Sequence, residues 1–136
     1  MRIGSIVVAF AFVAALVGTA FACGDPSGIW LSESGKTKVK IGPCGSAYCG
    51  TILAVMGGEQ NDLNNPDAAR RSRPLVGSLM ITKMVADGDS FKGNLYDYTS
   101  GKTYTGKMTA NGDKPDLAGC ILGGLICRSE TWSRSN

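Results

Sequence analysis

Lys36, Lys38 and Lys40 alternate with Thr37, Val39 and Ile41, and a period of two commits a segment to a strand with one wet face and one buried face. Stretches of similar character recur near residues 28–33, 48–56, 77–85, 90–98, 102–109, 115–122 and 125–133. Between them stand Ser34-Gly35, Asp87-Gly88-Asp89, Thr99-Ser100-Gly101, Asn111-Gly112-Asp113 and Gly123-Gly124, residues that tolerate the positive φ of hairpin turns. Helical periodicity is almost absent. About eight strands joined by tight turns make a meander, and a meander exposes two long edges unless it closes on itself. The expected fold is therefore all-β: a small antiparallel up-and-down barrel of about eight strands with one long loop. A β-sandwich is the alternative, since the turn spacing does not exclude it. An eight-stranded interior is either filled by side chains or holds one small ligand.

The N-terminus reads as a leader. Met1 and Arg2 form a short positive region, residues 3–18 an apolar one, and Ala20-Phe21-Ala22 the small-x-small pattern of a signal-peptidase site. The apolar run is shorter than the roughly 20 residues a membrane-spanning helix needs. We therefore expect residues 1–22 to be a signal peptide and 23–136 a single exported domain, periplasmic or secreted, with no transmembrane span in the mature form. Removing the leader from 136 residues leaves 114, with 13 basic and 11 acidic side chains, too even a balance to argue for nucleic acid.

Histidine is absent, which removes the commonest general base and the commonest metal ligand. The five cysteines point to disulfides, because the compartment outside the cytoplasm is oxidising and neither close pair has the C-x-x-C spacing of a zinc site. Cys44 with Cys49 and Cys120 with Cys127 are the economical pairs, although four cysteines allow three connectivities. Cys23 stands where a lipoprotein's modified cysteine would stand, but Ala20 replaces the usual leucine of that signal, so a lipid anchor at Cys23 is the weaker alternative to simple cleavage.

One connection breaks the regularity. Residues 57–74 carry Gly-Gly, Asn-Asp, Asn-Asn-Pro-Asp and three arginines, and loops of that length on compact domains tend to be functional. Asn65 is expected to cap one helical turn, with Pro66 and Asp67 in its first positions and Ala68-Ala69 following. That turn would present Arg70, Arg71 and Arg73 together as a seat for a carboxylate or phosphate. Pairing of these arginines with Glu59, Asp62 and Asp67, stapling the loop to the barrel, is the competing structural reading, with Arg73 the first choice as staple. Gly101-Lys102-Thr103 mimics the end of a phosphate-binding loop, but the motif's earlier glycine is replaced by Tyr96 and no helix follows.

Gly28-Ile29-Trp30-Leu31, Pro43-Cys44-Gly45 with Tyr48-Cys49-Gly50, Asn64-Asn65-Pro66-Asp67, residues 71–77 from Arg71 through Pro74 to Gly77, Leu95-Tyr96-Asp97 with Gly101-Lys102-Thr103-Tyr104, and Thr131-Trp132 together resemble the bacterial domain of unknown function 2147 family. The resemblance spans nearly the whole mature chain and implies an exported protein of about this size with no established activity. The chain departs from that pattern at Tyr98, where members often carry proline, and by adding Cys120 and Cys127. A looser likeness is to lipocalin-type barrels, which open with Gly-x-Trp on the first strand and pack an arginine of the last strand over that tryptophan; Arg128 or Arg134 could take that part.

Two functions fit. One is a periplasmic, non-enzymatic binding module whose mouth, rimmed by the long loop and by Tyr96, Asp97, Tyr98 and Tyr104, takes a small amphipathic or anionic ligand or an envelope partner. The other is a structural or stress-related envelope protein with a filled barrel. Catalysis ranks third, because the acids and tyrosines form no recognisable pairing and no nucleophile is evident; no cofactor or metal is called for. Gly28, Trp30, Asn65, Pro66, Asp67 and Trp132 are expected to serve the fold.

Overall fold

The computed structural model describes residues 4, 25–109, 116–121 and 126–135, with backbone alone for 116–126. The expected leader, Gly4 apart, and its cleavage site, Cys23 included, lie outside these residues.

Among the described residues nine strands form one antiparallel sheet: β1 (Gly28–Leu31), β2 (Thr37–Cys44), β3 (Ala47–Val55), β4 (Leu79–Asp87), β5 (Ser90–Asp97), β6 (Lys102–Thr109), β7 (Asp116–Ile121), β8 (Ile126–Thr131) and β9 (Ser133–Ser135). Each strand pairs with its sequence neighbour, except that β9 pairs with β1. The order runs from β8 at one edge to β9 at the other, yet Trp132 alone separates those two segments. The last strand thus bends at Trp132 and serves both ends of the sheet, which closes the meander into a barrel.

The lysine alternation appears as expected: Thr37, Val39 and Ile41 are buried while Lys36 and Lys40 are exposed. Two-residue turns join β2 to β3 and β4 to β5, with Gly45 (φ 67°) and Gly88 (φ 58°) in the left-handed conformation that such hairpins require. Cys44 and Cys49 are bridged across the first of these hairpins, with Cα atoms 5.5 Å apart. Cys127 is also disulfide-bonded, and the strand register sets it opposite Cys120. Trp30, Val39, Ile41, Ile81, Met84, Phe91, Met108 and Trp132 form one buried cluster, with Tyr48, Met80 and Leu95 packed against it. A shift of register between Thr82 and Val85 places Lys83 at φ 53° and pushes the β4 backbone inward. Gly93 accommodates this bulge, since a Cβ there would stand 2.7 Å from Met84 Cα and from the Thr82 carbonyl.

Candidate functional site

The chain between β3 and β4 folds back as a ribbon, not an open loop. Asp62 N donates to Arg73 O (3.0 Å), Leu75 N to Gln60 O (2.9 Å), and Asn61 bridges to Pro74. At its centre the Asp62 carboxylate is 0 % exposed. Oδ1 accepts from the Tyr96 hydroxyl (2.6 Å), and Oδ2 accepts from Asn65 Nδ2 (2.8 Å) and from Arg73 Nε and Nη2 (3.2 and 3.1 Å). Burial pushes the Asp62 carboxyl up, but these donors and the Arg73 charge outweigh it and hold the group below its ordinary 3.8. Tyr96 is pushed up to about 12, first by burial and then by bonding to that carboxylate. Its hydroxyl therefore stays protonated and donating at any ordinary pH.

The helical turn exists but its cap differs from the expected one. A short 3-10 turn covers Ala68–Arg70, and Asp67 caps it, its side chain accepting from Ala69 N at 3.1 Å. Asn65 stands two residues before that cap, its amide donating to Asp62 Oδ2 and its Oδ1 accepting from Asp67 N (2.9 Å). The three arginines take three different partners. Arg70 lies 3.5 Å from Asp67 in an exposed pair, Arg71 Nε donates to Asn65 O (2.8 Å), and Arg73 holds Asp62. Arg70 and Arg71 are exposed, while Arg73 is half-buried.

The ribbon leans on the β5–β6 turn. Asn64 Nδ2 donates to the carbonyls of Tyr98 (3.2 Å) and Thr99 (3.0 Å), and Gly101, at φ 73°, lies against the Asn64 backbone so closely that a Cβ there would collide with the Asn64 carbonyl. This is what the glycine of the Gly101-Lys102-Thr103 triplet does in the fold. Asp97 is spent within the same turn, accepting from Thr99 N and Oγ1 and from Ser100 Oγ. Tyr98 reaches across the mouth to Thr37, with 2.6 Å between hydroxyl oxygens. Between these parts lies an open-sided cavity of about 420 Å³, lined by Lys36, Val55, Met56, Glu59, Leu75 and Tyr98 among others.

Of the residues singled out from the sequence, Tyr98 lines this cavity, Tyr96 and Arg73 are committed to Asp62, and Tyr104 lies opposite Leu95 on the core face of β6. Sequence reasoning passed over Lys36 and Asn64 as site residues and treated Asp62 as one arginine partner among three. An acid inside an arginine-rich loop was the available signal.

Trp30 is 2 % exposed and donates Nε1–H to Pro26 O at 2.8 Å. Arg134, its register partner on β9, stacks over the indole with its guanidinium carbon 4.2 Å from the ring centroid. Gly28 leaves room for that arginine, because a Cβ would meet Arg134 Nη1 at 2.8 Å. Arg134 also donates to the carbonyls of Ser27 and Asp25, tying the strand ends together.

A closed antiparallel barrel, opened by Gly-x-Trp and sealed by a stacked arginine of the last strand, is a barrel of the lipocalin type. The chain belongs to the bacterial family described as "Uncharacterized protein conserved in bacteria (DUF2147)", whose profile matches residues 28–134. Among solved structures it is similar to protein HP1028 from the human pathogen Helicobacter pylori, described as belonging to the lipocalin family, with a TM-score of 0.74, 19% sequence identity, and coverage of 84% of this chain and 85% of that one. At that identity the likeness is one of fold. No curated protein matches the sequence. Among the described residues no helix is long and apolar enough to cross a membrane.

Proposed function

We propose that the protein is an exported, non-enzymatic binding module of the bacterial periplasm, taking a small amphipathic or anionic ligand at the barrel mouth. The observation that carries this reading is the cavity of about 420 Å³ between the ribbon and the β5–β6 turn, a volume within the range of small-molecule sites. Its lining joins apolar Val55, Met56 and Leu75 to the polar tips of Lys36, Glu59 and Tyr98, the mixture that orients an amphipathic guest. Export is supported by the leader-like residues 1–22 and by the Cys44–Cys49 bridge, which belongs to an oxidising compartment. In this proposal the mature chain starts at Cys23.

The contiguous cluster from Trp30 to Trp132 favours a second reading, a filled barrel with a structural role in the envelope. A native mass spectrum of protein purified from its own periplasm separates the two. A co-purified mass on a chain shortened by residues 1–22 is the expected result. A full-length chain would overturn the export reading, and a bare mature chain would favour the filled barrel.

A further inference from the structure

The cavity at the barrel mouth carries two opposite charges that do not pair. Lys36 brings an ammonium and Glu59 a carboxylate, and beside the Tyr98 phenol these are the ionisable groups of its lining. Among the described residues neither enters an ion pair, with the other or with any third group. A cation and an anion that share a cavity without meeting leave a gap that a guest bearing both charges can span.

The frame around these groups is fixed while their charged ends are not. Met56 N donates to Lys36 O (2.8 Å), tying the residue before β2 to the residue after β3, and Lys36 Nζ has no partner among the described residues. Glu59 Oε1 accepts from Asn61 N (2.9 Å), which holds the side chain in the first turn of the ribbon and leaves Oε2 without a donor. Asn64, on the same cavity, donates Nδ2 to the Tyr98 and Thr99 carbonyls. Those two bonds fix the orientation of its amide and leave Oδ1 as an unused acceptor. The lining has an apolar part as well, in buried Leu75, half-buried Val55 and Met56, which is 40% exposed. Beside Met56, a Cβ at Gly57 or at Gly58 would meet nothing within 4 Å, so no side chain closes that rim.

We propose that the mouth takes an α-amino acid with an apolar side chain, in its zwitterionic form. The carboxylate of the guest pairs with Lys36. Its ammonium, which has three donors and no acceptor, is shared between Glu59 and Asn64 Oδ1, and its side chain rests on Val55, Met56 and Leu75. A guest with only a carboxylate brings a like charge to Glu59 and gives it no donor, and a guest with only an ammonium does the same at Lys36. The pair of charges thus selects against both. This deepens the reading of the mouth as a ligand site and rests on it.

The test is calorimetric titration of L-phenylalanine, 3-phenylpropionate, phenethylamine and glycine into the mature protein and into Lys36→Gln and Glu59→Gln. Phenylalanine should bind the parent about tenfold more tightly than phenylpropionate, which lacks the ammonium, and than phenethylamine, which lacks the carboxylate. Glycine, with no side chain to bury, should also bind about tenfold more weakly. Glu59→Gln should weaken phenylalanine about tenfold and leave phenylpropionate no weaker, whereas Lys36→Gln should weaken phenylalanine as much and leave phenethylamine no weaker. Both side chains are exposed and unpaired, so the variants should melt with the parent. Phenylpropionate binding the parent as tightly as phenylalanine would overturn the proposal and leave the mouth to a simple amphipathic anion. Phenylalanine binding that neither variant weakens would overturn it by placing the guest elsewhere. Failure of the parent to bind phenylalanine would overturn it too, and a co-purified mass in the native spectrum would then leave the mouth reading intact.

Discussion

Replacing Asp62 by alanine removes the acceptor of four side-chain hydrogen bonds, from Tyr96, Asn65 and twice from Arg73, at a group 0 % exposed. Breaking a buried ion pair from one side typically costs about 3–5 kcal/mol, because the partner keeps its desolvation without its compensation. Here the lower end applies. The Arg73 side chain is 36% exposed and rehydrates in part, whereas the Tyr96 hydroxyl and the Asn65 amide face the space the carboxylate leaves. A loss of about 3 kcal/mol is expected, equivalent to a fall in melting temperature on the order of 10 °C for a domain of this size. Asp62→Asn keeps the shape and loses the charge, so it should fall about midway. Urea unfolding measures both, and the slope should stay at the parent value, since the ribbon is a small part of the surface exposed on unfolding. A cost below about 0.5 kcal/mol for Asp62→Ala, the level of an ordinary surface substitution, would refute the account of the ribbon as clamped by one buried acid.

Four further outcomes follow from the same geometry. Trp30→Ala should cost about 3–5 kcal/mol by removing the core indole and the platform under Arg134, and a melting temperature near the parent's would contradict barrel closure through that contact. Because Tyr96 has its folded pKa raised from 10.0 to about 12, its share of stability is complete below pH 10 and is lost as pH rises toward 12; Asp62, held below 3.8, loses its share as pH falls below that value. Tyr96→Phe should therefore be less stable than the parent by about 1–2 kcal/mol at pH 8, after allowance for solvent screening, with the gap closing in unfolding measurements near pH 12. Gly101→Ala should loosen the ribbon, seen as faster amide exchange at Asp62 and Leu75, because the added methyl collides with Asn64 and sits at φ 73°. Reducing the Cys44–Cys49 bridge should cost about 2 kcal/mol, as expected for so short a closed loop, and an unchanged midpoint under reductant would show that the hairpin turn alone fixes the register.

The positions of the strands and the meander order are local properties here, and they were legible. The lysine alternation of β2, the glycine turns and the absence of helical period fix a meander, because side-chain alternation and turn chemistry act over a few residues. The short Cys44–Cys49 bridge was legible for the same reason. The choice among chemically equivalent partners was not. Asn65 and Asp67 are both good caps, and the turn is capped by Asp67 while the Asn65 amide bonds a buried carboxylate that the sequence does not mark as its neighbour. Arg128 and Arg134 look alike in sequence, yet it is Arg134, beyond the bend at Trp132, that stacks over Trp30. Asp62, Tyr96 and Arg73 are separated by up to 34 positions, and only the folding of the β3–β4 ribbon onto β5 sets them within hydrogen-bond reach. Sequence determined what each segment could be, since propensity and pattern are nearest-neighbour effects. Tertiary structure decided which polar groups found each other, since burial makes an unpaired donor or charge costly and so selects one network among several that composition allowed.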